Sequence, residues 1–318
     1  MDASAIDQIQ LSFSPAALSA LNGIIAVILF GVALDIRWQD FVSVTRKPQA
    51  VMTGMFCQFL LLPAIAWICI LLLDPHPSIA LGLLLVSACP GGNVSNFLTA
   101  MGGGHAALSV SLSGLSTAAS IIMTPANFLF WAGLYPPTEA LLRDLSLSPV
   151  DILTTVLLIL VLPTVLGMGL AARYPGMAER LRRPMRVASM LMLAGFILLG
   201  LAGNWQAFVQ HIGVAFWIVA IVNALGLCCG YGLARVGRLN ESEARAVAFE
   251  TGIQNSGFGL VLCFNHFAGL GGMAMIAAWW GVWHLISGLT LASVWKRYPP
   301  ASSPGAPGVN ASRSDAAR

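Results

Sequence analysis

The chain has 318 residues, of which 57% are hydrophobic and only 9% charged, with a mean hydropathy of +0.81. Soluble domains carry about 25% charged residues, so this composition excludes an ordinary soluble domain and indicates an integral membrane protein built as one compact helical unit. The net charge of +3 says little by itself; the placement of the basic residues says more.

The N-terminus carries Asp2 and Asp7 and no basic stretch, so a cleaved signal peptide is not expected. Nine apolar spans come next, at about 16–35, 49–73, 79–101, 105–134, 149–173, 186–203, 210–235, 243–268 and 271–295. Each is near or above the ~20 residues that a helix needs to cross a bilayer. Proline, glycine or charge marks the connections: Asp74-Pro75-His76-Pro77, Gly102-Gly103-Gly104, Tyr135-Pro136-Pro137 and Arg182-Arg183-Pro184.

With the N-terminus outside, every one of the 16 basic residues except Arg143 falls in an inner loop or the inner tail. A wrong span count would scramble that alternation, so the asymmetry supports both nine spans and their direction. Residues 1–298 form the membrane domain. The Pro/Ser/Ala/Gly-rich tail at 299–318 is expected to be disordered on the cytoplasmic side. The sequon Asn310-Ala311-Ser312 lies on that inner side and is discounted. Short loops fit a bacterial inner membrane.

Two spans carry a break. The third contains Cys89-Pro90-Gly91-Gly92-Asn93-Val94-Ser95-Asn96, where proline removes a backbone donor and paired glycines weaken the helix beyond it. The eighth contains Glu250-Thr251-Gly252-Ile253-Gln254-Asn255-Ser256-Gly257. The broken spans are five apart, an odd offset that reverses direction across the membrane. Spans 1–4 and 6–9 therefore read as inverted repeats, and matched discontinuous segments point to a transporter binding site.

Glu250 is the only one of the 13 acidic residues deep in a span. It reads either as a protonated carboxyl bonded to a neighbouring helix or, favoured here, as a ligand for a hard cation. Oxygen donors are plentiful nearby: Gln254, carbonyls freed near Thr251 to Ile253, Ser95 and Asn96 on span 3, and Ser109 and Ser113 on one face of span 4. Ser116 and Ser120 continue that stripe and read as close packing. Gln58 is a further polar side chain, in span 2. His284, in span 9, reads equally as a structural histidine or a substrate contact. Trp279, Trp280 and Trp283 read as packing or interfacial anchors. The six cysteines show neither zinc-ligand spacing nor a disulfide pattern and read mostly as small buried hydrophobes.

The segments 89–96, Ala107-Leu108-Ser109-Val110, 250–257 and Trp283-His284-Leu285-Ile286-Ser287-Gly288 together resemble the bile acid:sodium symporter family, from about Leu21 to Trp295. Many bacterial members have ten helices; this chain resembles a nine-helix form lacking the first. The resemblance implies a core domain, with the two broken helices crossing in it, packed against a panel domain. It implies two sodium ions, one at Ser95, Asn96, Ser109, Ser113 and Glu250. The other lies at Gln58, Glu250 and Gln254 with the carbonyls of Thr251 and Ile253. Asn93, Asn255 and His284 would meet the substrate. Many relatives carry threonine where this chain has Asn93, a position that would face the ligand, so the cargo need not be a bile acid.

The expected function is sodium-coupled import of a small organic anion or a bile-acid-like carboxylate by alternating access. No lysine or arginine lies in the membrane interior to pair with that anion, so half-helix N-termini near Asn93 and Asn255 would supply the positive end. A proton-coupled carrier using Glu250 is one alternative, and an arsenite exporter of the related superfamily, suggested by Cys89, is another. A sensor without transport also remains. An intramembrane enzyme is not expected, because neither Gly-x-Ser-x-Gly nor His-Glu-x-x-His occurs. No nucleic-acid partner is expected.

Overall fold

A computed structural model describes residues 15–34, 47–144, 154, 158, 161–203, 205–267 and 269–300. All regular structure among them is helical. In chain order the helices are α1 (Pro15–Ala33), α2 (Pro48–Leu73), α3 (Pro77–Ala88), α4 (Asn93–Met101), α5 (Ala106–Gly133) and α6 (Pro136–Asp144). They continue with α7 (Leu162–Arg173), α8 (Pro175–Gly203), α9 (Trp205–Val236), α10 (Glu241–Gly252), α11 (Ser256–His266) and α12 (Gly271–Arg297).

Among the described residues, four stretches are long and apolar enough to cross a bilayer by themselves: Pro48–Leu73, Ala106–Gly133, Ala215–Val236 and Gly271–Arg297. Large apolar side chains such as Met52, Leu72, Ile122, Phe130 and Trp217 face outward, while Gln58, Ser95, Ser113, Glu250 and Gln254 are buried. An apolar exterior around a polar interior suits a lipid solvent.

Both expected breaks are present. Proline disfavours the helical conformation in the residue before it, and Cys89, before Pro90, is extended at φ −68° and ψ 158°. Helix α10 ends after Thr251-Gly252, and Ile253 is extended at φ −103° and ψ 101°. Helices α3 with α4, and α10 with α11, thus replace two continuous spans.

Three local features depart from the sequence expectation. The Arg182-Arg183-Pro184 connection lies inside α8, which runs unbroken from Pro175. Pro184 costs one backbone bond, but good helix formers flank it on both sides, and the chain instead breaks at Tyr174. The Tyr135-Pro136-Pro137 connection starts a short helix, α6, because proline is favoured at a first helical position. Span 2 is not uniform: residues Cys57–Leu61 form a π turn ahead of Pro63. Arg37 and Arg46, the N-terminal residues, most of span 5 before α7 and the tail from residue 301 lie outside the described residues.

Helix α1 packs on α7 and α8. Helix α9 lies along α10, α3 lies against α12, and α5 touches α3, α4 and α10. The main apolar core holds Leu84, Val86, Phe258, Val261, Met273, Ile276 and Trp280, drawn from α3, α11 and α12. It flanks the two breaks and fixes the half-helices that emerge from them.

Candidate functional site

The two breaks cross and bond to each other in exchange. Gly92 N donates to Ile253 O at 3.0 Å, and Asn255 N donates to Pro90 O at 2.9 Å. Gly91 and Gln254 form an antiparallel bridge between them. Breaking a helix frees carbonyls that cannot stay unpaired in a membrane interior, and three neighbouring helices satisfy them. Thr124 Oγ1 on α5 donates to Ala88 O at 2.7 Å. Gln58 Nε2 on α2 donates to Cys89 O at 2.7 Å, and Asn223 Nδ2 on α9 donates to Gly252 O at 2.8 Å.

Glu250, on the last turn of α10, is 1% exposed. Its Oε2 accepts from Ser95 Oγ and Ser113 Oγ, both at 2.8 Å, and its Oε1 accepts from Ser116 Oγ at 3.1 Å. Asn96 Oδ1 accepts from Ser109 Oγ at 2.7 Å and Ser113 Oγ at 3.1 Å. Ser95 Oγ also lies 2.7 Å from Gly92 O, and Ser116 Oγ lies 3.2 Å from Ser113 O. A hydroxyl has one proton to donate. The protons of Ser95, Ser109, Ser113 and Ser116 are therefore spread over more oxygen acceptors than they can serve. Among the described residues no lysine or arginine pairs with Glu250. The result is a buried nest rich in oxygen and poor in protons, a donor set that suits a hard cation.

Beside it lies an amide pair. Gln58 Nε2 donates to Gln254 Oε1 at 2.7 Å, and Gln254 Nε2 lies 3.2 Å from Gln58 Oε1 and 2.8 Å from Thr251 O. Gln58 sits in the π turn of α2, a feature that often re-aims side chains at functional sites. The Glu250 carbonyl reaches this pair through a long contact of 3.4 Å from Gln254 Nε2.

Ser95, Asn96, Ser109, Ser113 and Glu250 thus come together, as do Gln58, Gln254 and the Thr251 carbonyl. The Ile253 carbonyl is turned to Gly92 across the crossing. Asn93 is the first residue of α4; its side chain lies outside the described residues. Asn255 is the N-cap of α11, its Oδ1 accepting from Phe258 N at 3.1 Å, so one N–H expected to be open to a ligand is already capped. His284 is buried on α12, and its Nδ1 meets no partner among the described residues. One turn beyond it on α12, Gly288 lies against Leu98 of α4 and Ile253 of the crossing.

Three residues of this region do more than their sequence pattern suggests. Ser116 reads as packing, yet it bonds the carboxylate; its place on the stripe with Ser109 and Ser113 is the available signal. Asn223 and Thr124 do not stand out as site residues. A lone amide in the apolar segment 214–229 is the signal for Asn223. Thr124 beside Pro125 has no comparable signal.

The chain is similar to the Sodium Bile acid symporter family over residues 23–211. It is 28% identical over 273 residues to the uncharacterized sodium-dependent transporter YocS of Bacillus subtilis (strain 168), covering 86% of this chain and 82% of that protein. It is 30% identical over 246 residues to the probable chloroplastic sodium/metabolite cotransporter BASS2 of Oryza sativa subsp. japonica, covering 76% of this chain and only 55% of the rice protein. The ileal sodium/bile acid cotransporter of Homo sapiens is 27% identical over 239 residues, covering 75% of this chain and 67% of the human protein.

Proposed function

The chain belongs to the sodium bile acid symporter family, and from that premise we propose that it is a sodium-coupled symporter importing a small organic anion by alternating access. The observation that carries this reading is the buried Glu250 carboxylate, held by three serine hydroxyls and no cationic side chain among the described residues. An ionised carboxylate in such a place is costly unless paired, and a bound sodium ion is the pairing that its oxygen surroundings favour.

Two ions enter, one at Ser95, Asn96, Ser109, Ser113 and Glu250, the other at Gln58, Gln254, Glu250 and the Thr251 and Ile253 carbonyls. The names of relatives, a sodium/metabolite and a sodium/bile acid cotransporter among them, support sodium as the coupling ion. Two sodium ions around one carboxylate leave a local charge of +1, which complements a monocarboxylate. Asn93, Asn255 and His284 contact that anion, with the N-termini of α4 and α11 supplying partial positive charge. Transport then moves one net positive charge inward, and the membrane potential contributes about 2.3 kcal/mol per 100 mV.

Nine spans, with the N-terminus outside and the C-terminus in the cytoplasm of a bacterial inner membrane, complete the reading. Spans 1–4 and 6–9 form inverted repeats. The exchanged bonds of the two breaks support that symmetry, because Gly92 to Ile253 and Asn255 to Pro90 are equivalent when the halves are interchanged. Helix α1 with α7 and α8 forms the panel, and the remaining spans form the core that moves against it.

The test is thermal stability of the purified protein with small organic anions and bile acids, in Na⁺ and again in K⁺, followed by uptake into proteoliposomes. Stabilisation and uptake that need Na⁺ and one carboxylate class support symport. Uptake that follows a proton gradient and ignores Na⁺ transfers the role of Glu250 to proton coupling. Full Na⁺-dependent transport by Glu250→Gln would sink the ion-site assignment.

A further inference from the structure

Asn223 is fully buried on α9. Its Nδ2 donates to Gly252 O, the last carbonyl of α10, while its Oδ1 is buried and meets no hydrogen-bond donor among the described residues. A buried amide oxygen without a donor calls for a specific cause, such as an ion.

Its surroundings indicate which. One turn further along α9, a Cβ at Gly226 would lie 3.6 Å from Thr251 O and 3.7 Å from Gly252 Cα. The backbone of α9 therefore approaches the end of α10 closely, and Asn223 shares that face of α9 at i and i+3. Gln254 Nε2 donates to the same Thr251 carbonyl at 2.8 Å and faces Gln58. Asn223 also holds the place that Gln58 holds in the other half. Gln58, two helices before α4, bonds the carbonyl three residues before Gly92, the N-cap of its half-helix. Asn223 bonds the carbonyl three residues before Asn255, the N-cap of α11. The difference is that Gln58 Oε1 faces Gln254, whereas Asn223 Oδ1 has no donor among the described residues. The residue equivalent to Gln254 across the crossing is Gly91, which has no side chain to offer.

We propose that Asn223 is a further cation-binding residue, its Oδ1 joining the Thr251 carbonyl as an oxygen donor to the second sodium ion. This rests on the sodium-symport reading above. In that role Nδ2 fixes the carbonyl end of α10 while Oδ1 faces the ion, so one side chain both closes the helix break and completes the site.

The test is Na⁺ titration of thermal stability in the purified protein, with K⁺ as the balancing ion, for the wild type, Asn223→Ala and Asn223→Asp. Alanine removes both functions. Aspartate keeps an oxygen but loses the donor to Gly252. Asn223→Ala is expected to raise the half-saturating Na⁺ concentration about tenfold or more, and Asn223→Asp to keep it near or below the wild-type value. Asn223→Asp weakening Na⁺ as much as Asn223→Ala would reduce Asn223 to a structural cap and overturn the proposal. So would a wild-type Na⁺ response in Asn223→Ala. If Asn223→Ala does not fold, the Asn223→Asp titration alone decides, by whether Na⁺ affinity is kept or lost. Failure of the sodium reading shows in the wild type itself, as equal stability in Na⁺ and K⁺; failure of this inference shows only in the variants.

Discussion

Gly91 and Glu250 are fitted to one another: the space a Cβ would fill at Gly91 is taken by the Glu250 carboxylate. A glycine at the first break thus makes room for the one acid buried at the second. The carboxylate is the mobile end of a side chain, but three serine hydroxyls hold it, so it cannot move aside without losing them.

Gly91→Ala is therefore expected to act on the ion before it acts on the fold. Displacing Glu250 from one or more hydroxyls costs about 1–3 kcal/mol, which corresponds to a rise of about 5- to 150-fold in half-saturating Na⁺. Na⁺-dependent thermal shift measures this, with the melting temperature in K⁺ as the reference. An unchanged Na⁺ titration would show that the carboxylate moves freely.

Ser116 and Ser120 test the serine stripe. Ser116 Oγ reaches Glu250 Oε1, whereas Ser120 Oγ only bonds Thr117 O within its own helix. Hydrogen bonds to charged groups are worth about 1.5–3 kcal/mol. Ser116→Ala is expected to weaken Na⁺ binding by about tenfold or more, and Ser120→Ala to leave it unchanged. Equal effects in the two variants would mean that the stripe serves packing alone.

The breaks are legible because Pro90, the paired glycines and Glu250 are local exceptions in apolar surroundings, and exceptions show in a sequence. Ser95, Asn96, Ser109, Ser113 and Gln254 show as oxygen donors on the breaks and the next span, whereas the meeting of Gln58 with Gln254 follows only from the family resemblance. The satisfaction of the freed carbonyls does not show. Thr124, Gln58 and Asn223 reach them from three separate helices, and that depends on helix rotation and depth, which hydropathy does not encode. The π turn at Cys57–Leu61 escapes for the same reason. Its trace is Pro63, a residue that a uniform α-helix accommodates poorly. The Arg182-Arg183-Pro184 signal misleads because a charged, proline-containing stretch can remain helical.

Gln58 and Gln254 satisfy each other, and that reciprocity is measurable. Gln58→Leu or Gln254→Leu leaves the remaining amide buried without its partner, at about 1–3 kcal/mol. Replacing both removes the orphan, so the double variant is expected to lose less stability than the two single losses combined. If two ions bind as proposed, all three variants are expected to bring the Hill coefficient for Na⁺ to about 1, because one of the two proposed sites is lost. Strict additivity in chemical denaturation would disprove the coupling.

Arg245 and Glu241 contribute to the pH dependence of the fold at one end of α10. Arg245 is buried and donates to the carbonyls of Gly102, Trp295 and Tyr298, tying α10 to the ends of α4 and α12. Its Nε donates to Glu241 Oε1 at 2.9 Å. Burial opposes ionisation of Glu241, but the Tyr231 hydroxyl and the Arg245 guanidinium outweigh it and hold the carboxyl below its usual value. A depressed carboxyl stabilises the fold above the ordinary value of about 4.3 and loses that contribution as pH falls through the depressed one. The melting-temperature gap between the wild type and Glu241→Gln is therefore expected to be constant near neutrality and to close only on acidification below that ordinary value. A gap that closed on raising the pH would have the wrong sign for this pair. Glu241 keeps 28% of its side chain exposed, so screening keeps its share small. Arg245→Gln is expected to cost far more, about 3 kcal/mol or greater, because the guanidinium serves three carbonyls at once.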